Sequence, residues 1–210
     1  NAVHFGDLFV GSYSGFATSN KLRAVYGGGD LAPGRTNRME FVTINTFGNA
    51  NDFGDLSTVR TTPAPAASST RGVFGGGVDT TNVIDFITIS STGDATDFGD
   101  LSVARKGAAG CSNSTRALFG GGETPSNSNI IDFVTIATLG NAADFGDLTA
   151  ARNTTEATSS PTRGIFAGDG NTDTLDKVEI LTTGNAVDFG NLGRGASRAY
   201  GAFSNGHGGL

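Results

Sequence analysis

The tetrapeptide Phe-Gly-Asp-Leu begins at Phe5, Phe53, Phe98 and Phe145 and returns as Phe-Gly-Asn-Leu at Phe189, so successive copies start 48, 45, 47 and 44 residues apart. A chain that repeats itself at this interval builds similar units that cover one another's apolar faces, because one such unit cannot bury its own. The interval is long for a single solenoid turn and matches the about 40–50 residues of a four-stranded propeller blade. Identical sites are therefore expected at blade spacing. What they hold is a separate question.

The copy from Phe98 to Phe145 reads most clearly. A small-residue strand runs from Gly107 to Ser112 and turns at Asn113-Ser114-Thr115. Arg116-Ala117-Leu118-Phe119 forms a second strand that ends in Gly120-Gly121-Gly122. After a polar loop, the β-branched run 130–136 forms a third strand, and Ala143-Asp144-Phe145 a fourth. The same pieces return at 23–29, 71–77 and 163–169 for the second strand, and at 39–44, 84–89 and 178–181 for the third. Helical periodicity is evident nowhere.

This reading predicts an all-β fold, a small β-propeller of four or five four-stranded blades closed by terminal strands. Residues 1–210 form one domain, with repeats at approximately 9–56, 57–101, 102–148 and 149–192 and partial strands at 1–8 and 193–210. The two spare strands either clasp the ring or belong to a fifth blade completed by further sequence. Asn1 in place of Met is the start expected of a processed chain or a piece of a longer one.

A formal charge of −6 argues against a nucleic-acid partner, whose affinity rests on clustered Lys and Arg. No apolar run approaches the about 20 residues of a membrane-spanning helix, so no membrane insertion is expected. Cys111 is the only cysteine, so no internal disulfide forms, and a small core residue is the expected role.

Several repeated residues invite chemistry. The glycine triplets at Gly27, Gly75 and Gly120 lack a following Lys-Ser or Lys-Thr and open no helix, which points to turns or close strand packing rather than phosphate binding. Asp55, Asp100 and Asp147, with Asn191 in the last copy, suit either Ca²⁺ ligation or a turn in which the side chain caps its own backbone; Asn at 191 favours the turn. Glu40, Asp85, Asp132 and Glu179 recur in the third strand, and Arg23, Arg71, Arg116 and Arg163 before the second; two such rings suit a channel or binding face, but the pattern is more often that of ion pairs between neighbouring strands. His4 and His207 fit no metal-ligand spacing, and no Gly-x-Ser-x-Gly elbow occurs. No catalytic residue, metal or cofactor is predicted, and the chain reads as a non-enzyme.

An apolar-aromatic strand closing on glycines, a loop, an acidic-apolar strand and an aromatic in the fourth strand resemble the kelch-type blade, with Phe53, Phe98, Phe145 and Phe189 where kelch repeats usually carry Trp. The finer wording, Gly-Asn-Ala-x-Asp-Phe-Gly-Asp-Leu, then Ala-Arg and Thr-Arg-Gly-Val-Phe-Gly-Gly-Gly, resembles repeats in virion structural proteins of marine tailed phages, notably those infecting cyanobacteria. The resemblance spans essentially the whole chain. It implies a virion or extracellular location and a structural or surface-attachment role in a tail, fibre or capsid decoration. Its implied partners are other virion proteins or a host cell-surface glycan. A lectin-like propeller with repeated glycan sites is the alternative.

Contacts to a ligand are expected on loops that vary between repeats. These are residues 61–70, 123–129 and 168–174, with Thr62, Ala64, Glu123, Thr124, Ser126, Asn127, Asp169, Asn171 and Asp173 as candidates.

Overall fold

In the computed structural model, which describes residues 2–9, 11–79, 81–153, 156–168 and 172–193, each repeat folds into an up-and-down antiparallel sheet. Short runs of β-branched and aromatic residues between Gly- and Ser-rich turns dictate strands of four to six residues in most positions. Blade 1 consists of β1 (Phe16–Ser19), β2 (Arg23–Gly27), β5 (Arg38–Thr43) and β6 (Asn51–Asp55), with a small hairpin of β3 (Asp30–Leu31) and β4 (Gly34–Arg35) set between β2 and β5. Blade 2 is β7 (Ala64–Ala67), β8 (Arg71–Gly75), β9 (Val83–Thr88) and β10 (Thr96–Asp100). Blade 3 is β11 (Ala109–Ser112), β12 (Arg116–Gly120), β14 (Ser126–Thr135) and β15 (Ala143–Arg152), with β13 (Glu123–Thr124) folded back on the start of β14. Blade 4 is β16 (Glu156–Ser159), β17 (Arg163–Ala167), β18 (Thr174–Glu179) and β19 (Val187–Asn191).

The four sheets form a four-blade β-propeller arrangement with the first strands innermost. β1 lies beside β7, β7 beside β11, and β11 beside β16. Two serines tie these inner strands together: the Ser112 hydroxyl donates to the Ala67 carbonyl at 2.7 Å, and the Ser159 hydroxyl to that of Ser112 at 2.7 Å. The inner strands approach so closely that a Cβ on Gly110 would lie 2.1 Å from the Pro65 carbonyl oxygen. The closing strand expected from 193–210 lies outside the described residues, save for Gly193.

The apolar core is divided among the blade junctions. Phe16, Val25 and Met39 of blade 1 meet Phe74, Ile87 and Ile89 of blade 2. Val73, Ile84 and Phe98 meet Phe119, Val134 and Ile136 at the next junction, and Leu118, Ile131 and Phe145 meet Phe166, Val178 and Ile180 at the third. Strand alternation explains this: each sheet sends one set of side chains to the blade before and the other to the blade after.

The Phe-Gly-Asp motif is the joint between blades. Its glycine sits at a β-bulge with φ of 132°, 143° and 142° at Gly54, Gly99 and Gly146, a backbone region that side-chain-bearing residues avoid. It also faces the next blade's Gly-Asn or Gly-Asp turn, where a Cβ on Gly99 would come within 2.5 Å of the Gly140 carbonyl. The Phe53, Phe98 and Phe145 carbonyls accept the N–H of Gly93, Gly140 and Gly184. The side chains of Asp94, Asn141 and Asn185 accept the N–H of Asp55, Asp100 and Asp147 at 2.9, 3.1 and 3.1 Å. Residues 5–7 make the same joint to blade 1: the Phe5 carbonyl accepts from Gly48, and Asn49 accepts the Asp7 N–H at 3.0 Å.

Two expectations from the sequence are corrected. Residues 61–70 are not a loop, because β7 occupies their middle and Ala64 is fully buried there. β7 accommodates Pro65 because it is the edge strand of its sheet, where a missing N–H costs no ladder bond. In blade 4 the third strand is β18, and the residue in register with Glu40, Asp85 and Asp132 is Asp176 rather than Glu179.

Candidate functional site

Because strands alternate in direction, the loops from second to third strands and the connections between blades emerge on one face. This face carries the variable segments. Glu123 and Thr124 pair with Asn127 and Ser126 in one hairpin, so four of the candidates are neighbours. Glu123 is held by Lys106 at 3.6 Å and by the Asn153 side-chain amide at 2.7 Å, while Ser126 and Asn127 are exposed. Thr62, half-buried at φ 52°, donates its N–H to the Ser14 carbonyl, and half-buried Asp173 accepts from Leu192 through its carbonyl. Thr62 and Asp173 belong to other blades. Asp169 and Asn171 lie outside the described residues.

Beneath this face each of blades 2–4 buries an arginine that sequence reasoning missed. Arg60, Arg105 and Arg152 close the connections between blades and are at most 1 % exposed. Each inserts its guanidinium between the second and third strands of the following blade to meet that blade's carboxylate. Arg60 pairs with Asp85 and donates to the carbonyls of Gly76 (3.2 Å) and Val83 (3.0 Å). Arg105 pairs with Asp132 at 3.0 Å and donates to the Phe119 carbonyl at 2.9 Å. Arg152 pairs with Asp176 and donates to the Thr174 carbonyl at 3.1 Å.

The carboxylates are held from the other side as well. Asp85 accepts from the Ser57 N–H and hydroxyl at 3.1 and 2.7 Å, and Asp176 from those of Thr149 at 2.9 and 2.6 Å. Asp132 accepts the Ser102 N–H at 3.1 Å, and its second oxygen has no hydrogen-bond partner among the described residues. Burial pushes the Arg105 guanidinium below its usual pKa, a shift opposed by the charge of and hydrogen bond to Asp132. The glycine triplets complete this design on the backbone. The N–H of Gly29, Gly77 and Gly122 bonds the carbonyl of Arg60, Arg105 and Arg152, so each arginine is anchored in one blade and inserted in the next.

The arginines expected to pair with these carboxylates do something else. Arg23, Arg71 and Arg116 lie 4.5, 4.8 and 4.6 Å over the rings of Phe41, Phe86 and Phe133, and donate to the carbonyls of Ile89, Ile136 and Ile180 in the following blade. Those rings in turn meet Phe53, Phe98 and Phe145 edge-on at about 6 Å. Blade 4 departs: Lys177 stands in register where the other blades have Phe, and Arg163 pairs with exposed Glu179 at 3.2 Å. A seven-residue spacing from Phe53, Phe98 and Phe145 to Arg60, Arg105 and Arg152 is the sequence signal that identifies the buried set.

Blade 1 departs at the cradle itself. Seven residues after Phe5 stands Ser12, and the backbone pairing of Tyr13 with Asp30 repeats that of Lys106 with Glu123, which confirms that Ser12 holds the arginine position. Glu40 is buried and accepts the Phe9 N–H at 2.6 Å, as Asp85 accepts that of Ser57. Where the other blades hold a guanidinium, the described residues of blade 1 leave a small, partly open cleft lined by Ser12, Tyr26, Gly28, Leu31, Arg38 and Glu40.

The turn expected at Asp55, Asp100 and Asp147 is made two residues before the motif glycine instead. Asp97, Asp144 and Asp188 accept the N–H of Gly99, Gly146 and Gly190 at 3.1, 3.1 and 2.8 Å. Among the described residues no three His, Cys, Asp or Glu side chains converge as a metal site. His4 is exposed, 3.8 Å from Asp7, and His207 lies outside the described residues. Cys111 is a core residue whose thiol is pushed up to about 12 by burial. Compared with protein-family models the chain matches none, and a search of curated proteins gives no match.

Proposed function

We propose that this propeller is a non-catalytic module of a phage virion, structural or attaching to a surface, and located in the virion or outside the cell. The observation that carries the reading is the contrast between a uniform scaffold and one face of unequal loops. The joints and core repeat closely in blades 1–3, while the loops between second and third strands run from a two-strand hairpin in blade 1 to the short β13 turn in blade 3. Rigid support beneath variable loops is the arrangement expected of a recognition surface. The resemblance of the repeat wording to phage virion repeats supports the context, and propellers host many roles, so the fold alone does not choose.

The partners proposed are other virion proteins or a host cell-surface glycan. A lectin-like propeller with one equal site per blade ranks second, because equal sites require loops of equal length. Binding of the labelled 210-residue chain to whole bacterial cells and to their extracted surface polysaccharides, with and without EDTA, tests the reading. Saturable binding supports attachment. Loss with EDTA would bring a cation into the contact. No binding to any cell or polysaccharide removes the attachment and lectin roles and leaves virion assembly, tested by incorporation of the chain into particles.

A further inference from the structure

Three blades show what their shared cradle is built to hold, and in the fourth the same backbone and carboxylate positions line a cleft. In blades 2–4 a guanidinium enters between the second and third strands and meets one carboxylate together with backbone carbonyls at three positions. Those carbonyls belong to Gly76, to Val83 or its counterpart Thr174, and to Phe119. In blade 1 the residues in register with them are Gly28, Arg38 and Tyr26, and all three line the cleft together with Glu40. The backbone is the same there: Gly28 donates to the Arg38 carbonyl at 3.0 Å as Gly76 does to that of Val83 at 3.0 Å. Ser12 replaces the long side chain that fills this space elsewhere.

From this we infer that the blade 1 cleft is a binding site for an alkylguanidinium, an arginine side chain or a free molecule with the same head group. The equivalent acceptors in blades 2–4 take the several donors of a guanidinium fork, which a compact ammonium offers less well. The Arg38 guanidinium, which borders the cleft, lies 4.2 Å over the Phe9 ring and 3.5 Å from Asp52 on the outer strand. In blades 2 and 4 the carboxylate takes a guanidinium in addition to other donors, so further hydrogen bonds to Glu40 leave the comparison intact. The site goes beyond the attachment reading and stands without it.

The full chain is titrated with agmatine, with a capped Gly-Gly-Arg-Gly-Gly peptide and with n-butylamine, read by calorimetry and by amide chemical shifts. Both guanidinium probes are expected to bind saturably, with shifts centred on Gly28 and Glu40, and butylamine at least tenfold more weakly. Glu40→Gln, which keeps the shape, is expected to weaken binding at least tenfold. Ser12→Arg is expected to abolish it while the melting temperature stays level or rises. A peptide that binds more tightly than agmatine assigns the site to an arginine side chain of a partner; agmatine equal or tighter assigns it to a free alkylguanidinium. Absence of saturable binding by both probes, or binding unchanged in Ser12→Arg, overturns the inference.

Discussion

Blade 3 and the two outer blades are written in nearly the same words, yet they place them differently. In blade 3 Phe145 is 2 % exposed, Gly146 presses on the next blade's Gly184, and Arg105 fills the cradle. In blade 4 the equivalent Phe189 is 58 % exposed, and Gly190 has nothing within 4 Å among the described residues. The polar residues Lys177, Glu179 and Arg163 replace the aromatic stack on that side. In blade 1 Ser12 leaves the cradle open as a cleft. The lesson is that a motif's energetic role belongs to the junction it serves rather than to the residues that spell it.

The largest expected effect tests the filled cradle. Arg105→Ala strands the Asp132 carboxylate in the core and is expected to cost about 3–5 kcal/mol in urea unfolding. Asp132→Ala should cost a similar amount by stranding the guanidinium. A loss below 1 kcal/mol for either would mean that the pair is not held away from water as described.

Next comes the aromatic comparison. Phe145→Ala is expected to cost about 3–5 kcal/mol, as for other fully buried phenylalanines, and Phe189→Ala less than about 1 kcal/mol. Equal losses would show that the outer face of blade 4 is covered. The glycines sharpen the same contrast, because Gly146 and Gly190 share φ near 140° and so share the backbone strain of an added Cβ. Gly146→Ala also meets the Gly184 carbonyl at 2.5 Å, so it is expected to destabilise more than Gly190→Ala, by over about 1 kcal/mol. The smallest effect is chemical. Cys111, buried with its thiol raised to about 12, should resist iodoacetamide at pH 8 and react only at the rate of unfolding; fast labelling of the native chain would place it elsewhere.

Much of the architecture was legible because repetition multiplies weak signals. Four copies of Gly-rich turns and alternating strands identify a blade even where one copy is ambiguous. What misled were positions at which tertiary placement overrides local cues. Residues 61–70 read as a loop because they vary between repeats, but the edge strand β7 tolerates such variation, Pro65 included. Lys177 disguised the register of β18, since a lysine stands where the other copies have phenylalanine. The carboxylates read as partners of Arg23, Arg71, Arg116 and Arg163 because both sets recur once per repeat; only Arg163 and Glu179 pair in this way, whereas Arg60, Arg105 and Arg152 arrive from the connection that precedes each blade. The cleft was legible in principle from Ser12 in place of the arginine that follows three of the motifs, but its meaning required the other three cradles to be seen filled.

The central claim is that blade 1 carries the same guanidinium cradle as its neighbours. The most direct measurement is urea unfolding of Ser12→Arg in the wild-type background and in Glu40→Gln; urea is chosen because guanidinium salts are themselves candidate ligands. The account predicts that the introduced side chain stabilises the wild type by about 1.5–3 kcal/mol, the range for hydrogen bonds to a charged group, and that the gain disappears when Glu40 is neutral. A change that is the same in both backgrounds, or a loss in the wild type, would contradict it.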